Sequence, residues 1–171
     1  MSYLDTIDLD QLVRDGLVKL EITGGIPTWE MSPSARHQWT VRLIERSIKP
    51  LQDDGCGCEY LADVYIRFRD GSLKRPDISI FCEAPPLQDD ALTVIPAAVI
   101  EIVSPGYEYK DITLNPQFYL AQGVEDVVIV DPRAGAITHY RKSGVSNHHA
   151  PMKIELQCGC ECTVPEAGSR E

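Results

Sequence analysis

Residues 93–131 read TVIPAAVIEIVSPGYEYKDITLNPQFYLAQGVEDVVIVD, and this stretch decides the fold. It contains two apolar, β-branched runs, at 97–103 and 127–130, each short enough to be a buried strand. Between them Asn115-Pro116 carries the signal of a helix start, with Asn as N-cap and Pro at the first helical position. Gly123 is the matching stop. A helix that crosses between two buried strands implies that the strands run parallel, because a tight hairpin cannot join parallel neighbours. The segment therefore predicts a mixed α/β core.

Working outward, the N-terminal side supplies a helix, a hairpin and a second helix. Residues 4–16 read as a short amphipathic helix, with Asp5, Asp8 and Asp10 in its first turns and Gly16 as its stop. Residues 18–22 alternate apolar and polar with period two, Gly24-Gly25 makes a turn, and 26–31 return as the hairpin partner. Ser32-Pro33-Ser34 opens a helix over 35–49, where Trp39, Leu43, Ile44 and Ile48 recur at helical spacing and Pro50 ends the pattern. Strand character follows at 60–68 and 78–82, with Asp70-Gly71 as a hairpin turn. On the C-terminal side, 137–141 and 152–157 read as antiparallel strands. The expected layout is one domain over 1–157, a mixed central sheet flanked by helices with an N-terminal hairpin, followed by a cysteine-containing tail at 158–171.

A chain of 171 residues fits one core. No apolar run approaches the ~20 residues that span a bilayer. The acidic N-terminus lacks the basic and apolar regions of a signal peptide, so a cytoplasmic protein with no membrane partner is expected. The net charge of −10, from 16 basic against 26 acidic residues, counts against nucleic-acid binding by overall charge. Two local clusters run the other way: Arg36, Arg42, Arg46 and Lys49, and Arg67, Arg69, Lys74 and Arg75. Each is either a phosphate-facing patch or a solvated face.

Two carboxylates stand out. Asp77 follows Pro76 at the start of a strand, and Glu101 interrupts the buried run between Ile100 and Ile102. A buried carboxylate without a partner is costly. A Mg2+ ion, which takes oxygen ligands and keeps several waters, is one partner that two acids on neighbouring strands can share. The ordinary alternative has Asp77 capping a turn and Glu101 pointing outward at a strand end.

The runs Arg75-Pro76-Asp77-Ile78-Ser79-Ile80, Val99-Ile100-Glu101-Ile102-Val103-Ser104-Pro105, Tyr119-Leu120-Ala121-Gln122-Gly123-Val124 and Val128-Ile129-Val130-Asp131-Pro132 together resemble the Uma-type restriction endonuclease family of the PD-(D/E)xK nuclease superfamily. The resemblance covers roughly residues 10 to 142. It implies a restriction-endonuclease-like fold and a metal-dependent phosphodiesterase acting on DNA, with Mg2+ or Mn2+ held by Asp77 and Glu101. Leu20-Glu21-Ile22 with Gly24-Gly25, and Met31-Ser32-Pro33 with His37, resemble the family's strand, turn and first core helix. His37 and Glu21 become site candidates by that likeness, with Glu30 a weaker one.

The lysine is where this chain departs from the family. The position two residues after the second acid is Val103, and the position four before Tyr119, where the family usually carries its lysine, is Asn115. Lys110 is the next cation in sequence and the candidate to orient the attacking water or offset charge in the transition state.

Cys56-Gly57-Cys58 and Cys158-Gly159-Cys160-Glu161-Cys162 hold five of the six cysteines. Paired zinc ligands usually stand two to four residues apart, so a single intervening Gly is off pattern. If the two segments meet, the sulfurs can hold a structural Zn2+; free thiols and a disulfide are the alternatives. His148-His149 could add a ligand. Two readings of function remain at this point: a Mg2+- or Mn2+-dependent DNA endonuclease using Asp77, Glu101, Lys110, His37 and Glu21, or a catalytically inactive module of the same fold that binds a partner, for instance as a homodimer.

Overall fold

The computed structural model describes residues 11, 14–52, 55–108 and 110–170. Most of the expected first helix lies outside the described residues. Its stop at Gly16 has φ +70°, a left-handed conformation that glycine adopts without strain.

The centre is a six-stranded sheet of order β11-β10-β9-β8-β7-β4. Its middle strands β7 (Ile78–Phe81), β8 (Ala98–Ile102) and β9 (Asp126–Asp131) carry the buried runs. β8 and β9 are parallel, Ile100 facing Val128, and the crossover between them contains α2 (Asn115–Ala121). A five-residue π-helical turn, Lys110–Leu114, leads directly into α2, and Leu114 rather than Asn115 occupies the cap position. β4 (Glu59–Ala62) closes one edge against β7. β10 (Ala136–Arg141) and β11 (Gly144–His149) form a hairpin at the other.

Successive strand residues point to opposite faces, so the sheet divides the core into two apolar layers. Ile78, Ile80, Ile100, Ile102, Val128 and Val130 pack beneath α1 (Ala35–Ser47), which contributes Val41 and Ile44. Val99, Val103, Val127 and Ile129 face the α2 side with Phe81, Tyr119 and Val124. α1 buries His37, Thr40, Val41 and Ile44, one stripe at helical spacing, and Ser34 caps it by accepting from the His37 amide.

A second sheet, β2-β1-β6-β5, lies over the crossover side. β1 (Val18–Thr23) and β2 (Ile26–Met31) are the expected hairpin, turning at Gly24 and Gly25, both with positive φ. The Asp70-Gly71 turn joins β5 (Ile66–Arg67) to β6 (Leu73–Lys74) instead of joining 60–68 to 78–82. The expected strand at 60–68 is divided because Asp63 adopts φ +56°, which sends β4 and β5 into different sheets. Period-two patterning cannot register such a break.

The C-terminal strands also differ from the expectation. β12 (Met152–Glu155) pairs with β13 (Cys160–Val164), and β13 pairs with β3 (Lys49–Pro50). Cys158 to Cys162, read from the sequence as a tail, therefore lie on the β12–β13 turn and on a mostly buried strand. Pro50 sits on the edge of this small sheet, where no ladder donor is required of it. β11, which exposes His149 and most of its other residues, is a strand that sequence patterning missed because it has no buried face. No helix among the described residues is long and apolar enough to cross a membrane.

Candidate active site

Asp77 immediately precedes β7 and Glu101 is the fourth residue of β8. The antiparallel register, Ile78 to Ile100 and Ser79 to Val99, continues to set Asp77 opposite Glu101 on the α2-side face. Each carboxylate reaches across to the other strand. Ile102 N donates to Asp77 Oδ2 at 2.7 Å, and Asp77 N donates to Glu101 Oε2 at 3.3 Å. Tyr119, fully buried on α2, donates its hydroxyl to Glu101 Oε1 at 2.7 Å.

The pair is electrostatically unequal. Burial and the neighbouring Asp77 charge push the Glu101 carboxyl well above the usual carboxylate range. Burial acts the same way on Asp77, but the His37 hydrogen bond, the Lys19 charge and the Ile102 amide outweigh it and hold that carboxyl low. Two buried like charges side by side explain the division. Tyr119 is shifted well upward by its burial and by Glu101, so it remains a donor.

His37 projects from the first turn of α1 and bridges two groups. Its Nε2 lies 3.0 Å from Asp77 Oδ1 and its Nδ1 3.2 Å from Ser104 Oγ. An ionised carboxylate only accepts, so in the neutral ring the proton belongs on Nε2, and Nδ1 accepts from Ser104.

Glu21, on β1, is the hub of the cations. It accepts from Lys74 Nζ at 2.7 Å, Lys110 Nζ at 3.1 Å and the Arg75 amide at 2.8 Å, with Lys19 Nζ at 3.8 Å. Burial opposes ionisation here, but these ammoniums prevail and Glu21 stays charged. Lys110, the candidate named from sequence, stands at the rim with its charge divided among Glu21, Glu30 and Asp111.

Three participants escaped sequence reading. Lys19 Nζ lies 4.0 Å from Asp77 Oδ1, and although burial favours its neutral form, Asp77, Glu21 and Glu101 keep it charged. Lys74 is 1% exposed and donates to Asn115 Oδ1 at 2.9 Å. Tyr119 holds Glu101. Lys19 had a findable signal: it precedes Glu21 by two on an alternating strand, so both point to one face. Lys74 was read only as part of a basic cluster, phosphate-facing or solvated; the short β5–β6 hairpin instead buries it against Glu21.

A cleft of about 100 Å³ opens over these groups, lined by Lys19, Glu30, His37, Asp63, Arg75, Asp77 and Ser104 among others. A larger pocket of about 200 Å³ lies between the start of α1 and residues 164–170. Its lining is mainly apolar, and the buried charge network lies elsewhere, so size does not locate the chemistry. Within the network Glu21, Glu30, Asp77 and Asp111 each lie within ion-pair distance of Lys19, Lys74 or Lys110, whereas Glu101 is held by Tyr119 and the Asp77 amide. The hard oxygen donors of Asp77 and Glu101, side by side on adjacent strands, fit a divalent cation.

Comparison with known proteins agrees with the fold. The solved structure described as "Crystal structure of a putative nuclease belonging to DUF820 from Anabaena variabilis ATCC 29413" aligns with a TM-score of 0.65 at 19% identity, covering 88% of this chain and 89% of that chain. At that identity the likeness establishes a shared fold. No curated protein matches the chain. The model of the family Uma2, described as "Putative restriction endonuclease", matches residues 8–158. That match spans most of the sequence and takes in the crossed carboxylates, the His37 helix and the Tyr119 helix: the chain belongs to the Uma2 family of restriction-endonuclease-like proteins.

Proposed function

We propose that this chain is a divalent-metal-dependent DNA endonuclease that hydrolyses a phosphodiester in the cleft above Asp77. The observation that carries the reading is the crossed pair Asp77 and Glu101, buried on adjacent strands, with charged Lys19 beside it. Mg2+ or Mn2+ would be held by Asp77 and Glu101. When bound, the ion would supply Lewis-acid polarisation of a phosphoryl oxygen and a more acidic water.

The chain's own groups have separable tasks. His37 fixes the rotamer of Asp77, and Tyr119 fixes that of Glu101. Lys19 is the ammonium nearest Asp77 and is suited to offset charge developing on the non-bridging phosphoryl oxygens. Lys110 holds Glu21 and Glu30 at the rim and is the second cation within reach of a phosphate. In the reaction a water oxygen bonds to phosphorus, the ester P–O bond breaks, and the leaving oxygen takes a proton.

The second reading is a catalytically inactive module of the same fold that binds a partner. It draws on Val103 and Asn115 at the two lysine positions and on the acidic surface. Supercoiled plasmid incubated with Mn2+ separates the two. The endonuclease reading expects nicked or linear product from wild type and none from Asp77→Ala; intact plasmid with a purified, folded wild type that also shows no Mn2+ binding heat favours the module.

A further inference from the structure

All six cysteines lie outside the charge network, and the fold gathers them at the opposite end of β7. Cys82 follows the last residue of β7, while Asp77 precedes its first. The Sγ atoms of Cys56, Cys158 and Cys160 lie within 4.8 Å of one another. Cys58 is bonded to Cys160, and Cys56 to Cys82. Five sulfurs from three chain segments therefore occupy one place, and buried Cys162 adjoins them on β13.

The backbone is shaped to bring them there. Gly57 N donates to Cys82 O at 2.9 Å, and a Cβ at Gly57 would stand 2.9 Å from that same oxygen, so only glycine allows the approach. Gly159, at φ +90°, turns β12 into β13 through Gly159 N to Leu156 O and Leu156 N to Cys160 O. Each Cys-Gly-Cys piece thus presents its two sulfurs to the other.

Two disulfides explain four of the sulfurs but not the position of Cys158. Its thiol lies within 4.8 Å of a sulfur of each bonded pair. A free thiol in contact with two disulfides is placed to exchange with both, which suits a shared ligand set better than a fixed staple. In a tetrahedral tetrathiolate, Zn–S bonds of ~2.3 Å set sulfurs about 3.8 Å apart, compatible with the observed triangle.

We propose that the reduced protein binds one Zn2+ through Cys56, Cys58, Cys158 and Cys160, a site that ties the β12–β13 hairpin to the loop before β4. Reaching it from the bonded state takes two equivalents of a dithiol: each disulfide accepts two electrons and two protons and becomes two thiols. Zinc then displaces the four thiol protons of its ligands. Cys58 is the fourth ligand in preference to Cys82 because it is buried with the triangle, whereas Cys82 is exposed. Of the negative side chains near the sulfurs, Asp126 is engaged by His139 and Arg141 and Glu161 by Lys49 and Lys153, while Glu125 is exposed to solvent. The site does not depend on the nuclease reading.

The test is elemental analysis of full-length protein purified with a dithiol reductant and no added metal, together with Co2+ titration read by absorption. About one equivalent of zinc, and the intense thiolate-to-cobalt and d–d bands of a tetrahedral sulfur site, are expected. Cys158→Ser and Cys58→Ser should fall at least tenfold in zinc content, while Cys82→Ser and Cys162→Ser retain it. Less than a tenth of an equivalent of zinc in folded, reduced wild type, with no cobalt bands, overturns the site. Zinc retained in Cys58→Ser but lost in Cys82→Ser overturns the ligand assignment. Should a serine variant fail to fold, the wild-type cobalt spectrum still decides.

Discussion

The ammonium of Lys74 rests 2.9 Å from Oδ1 of Asn115, the position at which the family resemblance looks for a lysine. The positive charge missing from position 115 in the sequence is thus restored in space from β6. It reaches Glu21 as well, at 2.7 Å, in surroundings that leave Lys74 1% exposed. Replacing it by Met removes one partner of a buried ion pair, which typically costs about 3–5 kcal/mol. Urea unfolding of Lys74→Met should show that loss in the midpoint with little change in slope; an unchanged midpoint would mean that Lys110 and Lys19 suffice to hold Glu21.

Asp77→Asn keeps the shape of the side chain and its acceptor for the Ile102 amide, but removes the charge. Plasmid cleavage should fall by about 100-fold or more, the scale seen when one electrostatic contributor to a transition state is removed. The heat of Mn2+ binding should vanish with it. Cleavage at the wild-type rate would dismiss Asp77 from the chemistry.

Lys19 and Lys110 can be ranked by parallel Met substitutions. Lys19 is the closer to Asp77, whereas Lys110 is shared among three carboxylates. Lys19→Met is expected to lose about 100-fold in cleavage, Lys110→Met roughly tenfold or less, with both folded by circular dichroism. The opposite order would return the principal role to Lys110.

Asp126 supplies a pH signature remote from the cleft. It accepts from His139 Nε2 at 2.7 Å, Arg141 Nε at 2.6 Å and the Gln157 amide at 2.7 Å. Burial alone would raise its carboxyl, but these hydrogen bonds lower it below the ordinary value of 3.8. A lowered folded value means that the stabilisation is fully present above the unfolded value and disappears as the pH falls through the folded one. Asp126→Asn should therefore cost about 1.5–3 kcal/mol at pH 7. The gap between wild type and variant should narrow below pH ~4 in acid-unfolding curves. A gap that stays constant down to pH 2 would assign the cost to packing instead.

The sequence by itself determined the core crossover, the β1–β2 hairpin and the span of α1, and it singled out Asp77 and Glu101. These rest on local periodicity, turn chemistry and the cost of a charge inside an apolar run, all of which neighbouring residues encode. The helix face it read from Trp39, Leu43, Ile44 and Ile48 gave way to His37, Thr40, Val41 and Ile44, with Trp39 exposed. Tertiary structure decided the rest. The positive φ of Asp63 sent β4 and β5 to different sheets, and β12 paired with β13. Lys19 and Lys74 joined the acids only because two separate hairpins fold over the crossover, bringing Lys74 to Glu21 and Asn115 across 53 and 41 residues of chain. The sulfurs meet for the same reason, Cys58 and Cys160 being separated by 102 residues. Contacts of that span are fixed by how whole elements pack, and no local pattern of residue types records them.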